Sequence, residues 1–270
     1  MFVNRNLSIL VFCGLLGSIP ACKFARIQKS TDIQAKYDAA LAYYEKKDFY
    51  HAGLLFEEVV PIKKGDKEGE IAQFYYAYCH YYQRQYSLSA HYFEKFYKTF
   101  KRSSFAEEAF YMRCKSLYDD ASPSNLDPTN TRSAIVATQE FMNTFRTSSY
   151  QEDCERMLKS LRVRLEKKAY DQAKLYYKLS DFKACVLAFT NFQKEFPDSE
   201  FNEEIVYLRL VAQYRLAKNS TERRQEERFN DAITYYESLI DNFPSSKYLP
   251  DAENIYEDCI NRLGKIRAKI

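Results

Sequence analysis

Residues 170–197, YDQAKLYYKLSDFKACVLAFTNFQKEFP, hold two amphipathic patterns joined by the short polar turn Lys178-Leu179-Ser180-Asp181. Tyr170, Ala173 and Tyr177 recur at helical spacing before the turn. Phe182, Cys185, Phe189, Phe192 and Phe196 recur at steps of three or four after it. Such steps put one buried stripe on each of two helices, and Pro197 stops the second. The unit returns in residues 37–60, YDAALAYYEKKDFYHAGLLFEEVV. Tyr37, Asp38, Ala40, Tyr43, Tyr44, Asp48, Phe49 and Phe56 align there without a gap on Tyr170, Asp171, Ala173, Tyr176, Tyr177, Asp181, Phe182 and Phe189. An ungapped recurrence of this length is an internal repeat, and a repeat of paired helices sets the fold class.

Working outward, the small residue near the start of each second helix is Ala52, Ser89, Ala134, Cys185 and then Ala232. Four residues on stand Phe56, Phe93, Thr138, Phe189 and Tyr236. Small-x3-aromatic is the signature of the tetratricopeptide repeat, in which the small residue lets two helices approach and the ring fills the space beside them. The anchors are 37, 45, 51 and 47 residues apart, longer than the usual repeat of about 34, so the excess belongs in loops or extended helices. A second marker keeps the same register: Phe100, Phe145, Phe196 and Phe243 are each followed by Ser three residues later and by an aromatic five residues later (Phe105, Tyr150, Phe201, Tyr248). The serines, Ser103, Ser148, Ser199 and Ser246, are expected to cap the following helices.

The chain is therefore expected to be an all-α tetratricopeptide-repeat superhelix of about five helix-turn-helix units. It closes with a polar-faced capping helix over residues 250–264. Residues 33–163 form an N-terminal half of three repeats and residues 164–270 a C-terminal half of two repeats plus the cap. Residues 122–131 (SPSNLDPTNT) read as the longest loop, and residues 219–228 (NSTERRQEER) as a charged insertion in the fifth repeat. Residues 151–178 contain no breaker and make one long helix or two.

The first residues have another purpose. Arg5 precedes an apolar run from Leu7 to Gly17 that is too short for a permanent membrane span, and Ile19-Pro20-Ala21-Cys22 follows. This pattern is that of a lipoprotein signal peptide, residues 1–21, with Cys22 as the lipidated first residue of the mature chain. Bulky Phe12 argues against cleavage before Cys13. Residues 22–32 carry no hydrophobic period and read as a tether, with Thr31 or Asp32 capping the first helix.

Composition narrows the function. The 270 residues are 46% hydrophobic, enough for a continuous helical core. A net charge of +3 is too balanced for a nucleic-acid binder. The three histidines, His51, His80 and His91, form no metal-binding spacing with each other or with the cysteines. After Cys22, the cysteines at 79, 114, 154, 185 and 259 are scattered over helices. Cys114 and Cys185 fall where repeat helices need a small residue. No phosphate loop or nucleophile elbow occurs. No catalytic residue, metal or cofactor is expected; what remains is a surface. Counting back from the anchors, the groove-facing positions of the first helices are Tyr37, Leu41 and Tyr44, then Phe74, Tyr78 and Tyr81, then Tyr111, Lys115 and Tyr118, then Tyr170, Lys174 and Tyr177. These aromatic positions are expected to form a peptide-capturing groove. Arg223, Arg224 and Arg228 in the charged insertion are expected to meet a protein partner.

A lipobox, a tether and about five overlong repeats in a chain of this size resemble the BamD family, lipoproteins of the outer-membrane β-barrel assembly machinery. Ser122-Pro123, Leu126-Asp127-Pro128-Thr129-Asn130-Thr131 and Ala134-Ile135 look like that family's S-P…D-Q-T-x-T-x-x-A-I loop, with Pro128 for Gln. Phe145-Arg146-Thr147-Ser148-Ser149-Tyr150 looks like its Y-P-x-S-x-Y repeat end, and Arg164-Leu165 with Ala173, Tyr176 and Tyr177 like its RL…A-x-Y-Y segment. The resemblance spans residues 22–264. It implies a lipid-anchored protein on the periplasmic face of the outer membrane. The C-terminal repeats would bind the barrel-forming subunit BamA. The N-terminal repeats would engage the extended, aromatic-ended C-terminal signals of unfolded outer-membrane proteins. Another lipid-anchored repeat scaffold, coordinating cell-wall synthesis, and a glycan-binding helical lipoprotein are the competing readings.

Overall fold

The computed structural model describes the backbone of residues 19–268 and the side chains of residues 24–268. The signal peptide lies almost wholly outside the described residues, as does the Cys22 side chain. Twelve α-helices and no strand occur among the described residues: α1 (Ile19–Gln28), α2 (Ile33–Glu45), α3 (Phe49–Ile62), α4 (Lys67–Tyr82), α5 (Tyr86–Thr99), α6 (Ala106–Asp120), α7 (Thr129–Thr144), α8 (Gln151–Lys178), α9 (Phe182–Glu195), α10 (Asn202–Lys218), α11 (Glu222–Asn242) and α12 (Leu249–Arg267). They form two compact units. The first comprises the chain to Ser122 with Asp127–Leu161; the second comprises Pro123–Leu126 and everything from Arg162 onward.

In the first unit the pairs α2/α3, α4/α5 and α6/α7 are three repeats, closed by the start of α8. Their anchors Ala52, Ser89 and Ala134 and the residues four later, Phe56, Phe93 and Thr138, are fully buried. Ser89 fits because its hydroxyl is satisfied, bonding to the Ala77 carbonyl at 3.1 Å and to the Ser116 hydroxyl at 3.0 Å. In the second unit the end of α8 pairs with α9, and α10 pairs with α11, with α12 as the cap. Cys185, Phe189 and Ala232 are fully buried, while Tyr236 stacks at 4.6 Å on Tyr256 of the cap.

Local chemistry explains the helix ends. Asp32, Asp48, Asp66 and Asp181 each accept a hydrogen bond from the backbone N–H three residues later, which starts α2, α3, α4 and α9. Three of the first helices end on a left-handed residue: Lys47 (φ 61°), Arg84 (φ 59°) and Ser180 (φ 60°) reverse the chain after α2, α4 and α8. Non-glycine residues tolerate this where the turn is held by paired backbone bonds, such as Ser180 N–H to Tyr177 C=O at 3.1 Å and Asp181 N–H to Tyr176 C=O at 3.1 Å.

Two expectations need correction. Residues 22–32 are not an irregular tether throughout, since α1 runs to Gln28. Phe24 sits 4.2 Å from His51 and 5.8 Å from Tyr43, and Ile27 joins the same cluster, so two apolar residues three apart suffice to dock this turn. The repeat-end serines do not cap from the N-cap position. The residue entering the helix is the aromatic itself, Phe105, Phe201 or Tyr248, and the serine accepts that aromatic's N–H from two positions upstream, at 3.0–3.2 Å. The excess length of the charged segment 219–228 goes into a helix: from Glu222 it lengthens α11, a 21-residue helix.

Five cysteines are free and buried: Cys79, Cys114, Cys154, Cys185 and Cys259. Burial pushes the thiols of Cys79, Cys154, Cys185 and Cys259 up to about 12 and that of Cys114 upward too. They behave as small apolar side chains.

Candidate functional site

The aromatic residues along the first helices of the repeats divide into two sets with different fates. In the first set, each ring is covered by the aromatic that arrives at the start of the next repeat. Phe74 stacks on Phe105 (4.6 Å, 26°), Tyr111 on Tyr150 (4.0 Å, 9°), Tyr170 on Phe201 (4.2 Å, 23°) and Tyr207 on Tyr248 (4.4 Å, 7°). Hydroxyls add a second tie. Tyr111 donates to Asp153 and Tyr170 to Glu204 (2.6 Å), each carboxylate lying one turn beyond the stacked ring. The Tyr111 hydroxyl, aided by Arg156 and opposed by partial burial, holds the Asp153 carboxyl below its ordinary range. Tyr37 has no arriving ring; the Lys63 ammonium lies 5.6 Å over its face instead.

This pattern overturns the groove expectation at four positions. Tyr37, Phe74, Tyr111 and Tyr170 are 6%, 3%, 9% and 8% exposed and belong to the core between repeats. At Phe74, Tyr111 and Tyr170 the covering ring is the aromatic that opens the next repeat. Tyr78, Tyr81 and Tyr118 are half-buried, and their hydroxyls are engaged by Glu108, by Asp119 at 2.7 Å and by Ser160 at 3.2 Å. They line helix contacts rather than a vacant groove.

One aromatic position does open onto a cavity. Tyr44, at the end of α2, lies 4.6 Å from Tyr75 and 5.4 Å from Phe49, and Phe49 stacks on Tyr82 at 4.2 Å. With Leu41, these rings enclose a cavity of about 300 Å³ between the first two repeats, with Glu45 and Lys47 at its mouth. Tyr82 is 48% exposed, a large apolar ring left in reach of solvent. Burial and the adjoining Tyr82 push the Tyr44 hydroxyl pKa upward, so it stays neutral and able to donate. Of the aromatic residues expected to form the groove, Tyr44 alone lines this cavity. Tyr75 and Tyr82 escaped the sequence reading because they sit one position off the counted stripe, and Phe49 because it opens the second helix of its pair. The available signal was the dense run Phe74-Tyr75-Tyr76, Tyr78, Tyr81-Tyr82, which has more rings than one helix face can bury.

The three arginines are not one cluster. Arg223 and Arg224 are exposed on the first turn of α11, whereas Arg228 is half-buried and donates to the Ser220 hydroxyl. Arg223 joins Arg262 and Lys265 around a cavity of about 400 Å³ floored by Phe229 and Ile266. No described helix is long and apolar enough to cross a membrane.

A model of the YfiO outer membrane lipoproteins matches residues 29–178 and 162–270. The chain belongs to that family. YfiO is the BamD family, the one that the repeat-end and loop motifs resemble. No curated protein matches the chain in sequence. Among solved structures, the TPR2AB domain–pHSP90 complex of yeast Sti1 is similar at 12% identity with a TM-score of 0.40, over 84% of this chain and 98% of that one. The protein is thus a helical-repeat member of an outer membrane lipoprotein family.

Proposed function

We propose that this YfiO-family lipoprotein is a lipid-anchored scaffold of outer-membrane β-barrel assembly. It captures the C-terminal signals of unfolded barrel proteins in the first unit and holds a BamA-like barrel-forming subunit through the second. The cavity walled by Tyr44, Tyr75, Tyr82 and Phe49 carries this reading. Its volume suits one aromatic side chain, and Lys47 at its mouth supplies a cation for the chain-terminal carboxylate. Fluorescence anisotropy on the acyl-free protein tests it. A barrel C-terminal peptide ending in Phe should bind at least tenfold tighter than its amidated or Ala-ended counterparts. Equal binding of all three would remove the terminal-residue recognition.

The anchor is Cys22, and no cofactor or nucleic acid takes part. Metabolic labelling with a fatty-acid analogue should mark the wild-type protein and leave Cys22→Ser unlabelled; label on the variant would displace the anchor to another residue. For the subunit contact, Arg223 and Arg224 offer two exposed cations. Arg223→Glu with Arg224→Glu should reduce co-purification of the barrel-forming subunit several-fold while peptide affinity in the first unit is unchanged. Undiminished co-purification would place the contact elsewhere.

A further inference from the structure

α1 docks on the first repeat by one stripe and turns another away from it. Phe24 and Ile27, three residues apart, pack against the core cluster of that repeat. Phe24 lies 4.2 Å from His51 in the first turn of α3 and 5.8 Å from Tyr43 near the end of α2. α1 therefore runs back along α2, and its N-terminal end points to the turn that joins α2 to α3. Helical spacing puts position 22, four before Arg26 and seven before Lys29, on the stripe opposite Phe24 and Ile27. Arg26 and Lys29 are exposed.

The turn that this end approaches is basic as well. Lys46 and Lys47 are exposed in it, and Tyr50, just beyond, is 60% exposed. Among the described residues, none of Arg26, Lys29, Lys46 and Lys47 forms a salt bridge. Asp48, the carboxylate inside the turn, is taken by His51: it accepts the backbone N–H and lies 2.8 Å from the ring Nδ1. Glu45, exposed beside the lysines, offsets one charge of the four. The first repeat thus carries an unneutralised basic strip from α1 to the α2–α3 turn, with an exposed phenol at its end.

We propose that this strip lies on the anionic phospholipid headgroups of the leaflet that takes the Cys22 acyl chains. Arg26, Lys29 and Lys46 meet the phosphates, and Tyr50 sets its ring at the headgroup level. The inference rests on the lipid-anchor reading, which also selects the occupant: a lipid at position 22 brings its own stripe of α1 to a bilayer surface. Acyl anchors gain hold from a basic surface beside them. Because α1 is docked rather than loose, the anchor also sets how the first repeat meets the bilayer. Lys47 belongs to the mouth of the Tyr44 cavity and is left out of the test, so the peptide reading is untouched by it.

The mature chain with Cys22→Ser, which carries no acyl chain, is sedimented at low salt with vesicles of phosphatidylethanolamine and phosphatidylglycerol, or of phosphatidylcholine. Binding to the anionic vesicles should be at least about tenfold stronger. Arg26→Glu/Lys29→Glu/Lys46→Glu should bring it near the neutral level. The same net change made at Lys101, Arg102 and Arg146, exposed at the connections between repeats, should cost less than about threefold. The chain holds no Trp, so Tyr50→Trp adds a single reporter to an otherwise intact surface. Its emission should shift to the blue on anionic vesicles and stay in place on neutral ones. Equal binding to both vesicles, equal loss from the two triple reversals, or an unmoved emission overturns the proposal. Fatty-acid label on Cys22 alongside any of these results refutes the surface and spares the anchor. Intact vesicle binding without that label moves the anchor and spares the surface.

Discussion

Phe189→Ala should lower the stability of the second unit by about 3–5 kcal/mol. Phe189 is among the largest side chains that are fully buried, and it lies in one cluster with Cys185, Ile205 and Ala212. Its removal leaves a void bounded by two helices of one repeat and the first helix of the next. Repeat stacks relax by nearest neighbours, so the damage should follow chain connectivity. Hydrogen exchange should accelerate first in α9, the end of α8 and α10, then in α11 and α12. Amides of α2–α5, which belong to the other unit, should keep their protection. Uniform acceleration from α2 to α12 would mean that the two units unfold as one cooperative block.

Tyr44→Ala combined with Tyr82→Ala should abolish most binding of an aromatic-ended peptide. An aromatic anchor is worth roughly 2 kcal/mol, about a thirtyfold change in affinity. The two rings share Phe49 as a neighbour at 5.4 and 4.2 Å, so their effects will not simply add. The joint loss should fall between roughly thirtyfold and a thousandfold. Tyr81→Phe is the informative control, since it removes only the bond to Asp119 and leaves the cavity walls in place; its affinity should stay within about threefold of wild type. A folded double variant that binds peptide normally would assign these rings to packing alone.

Much of the architecture was legible because it repeats. Ala52, Ser89, Ala134, Cys185 and Ala232 announce the helix pairs, and each is fully buried. The Phe-x2-Ser-x-aromatic ends were legible as markers but not as contacts. Nothing in a linear reading says that Tyr150 will lie on Tyr111, 39 positions away, at 4.0 Å. Without that pairing, Tyr111 and Phe74 look like groove residues. With it, they are consumed in joining repeats. The cavity was hidden for a related reason. Tyr75 and Tyr82 lie on α4 and Phe49 on α3, and only tertiary packing brings the three around Tyr44. α8 was ambiguous because an unbroken helical pattern is compatible with one helix or two.

The five interior thiols bear on how such a protein is made. A chain of an outer-membrane lipoprotein family is expected to meet an oxidising compartment before it has folded, with Cys79, Cys114, Cys154, Cys185 and Cys259 all accessible to disulfide exchange. Once the helices close, those sulfurs are buried and held protonated, beyond the reach of oxidants. Oxidation damage is therefore decided by a race between collapse and chemistry. The early, local contacts of paired helices favour collapse, since short sequence separation makes for fast folding. No disulfide joins the described residues, yet the route to this state is a window of redox vulnerability that closes repeat by repeat.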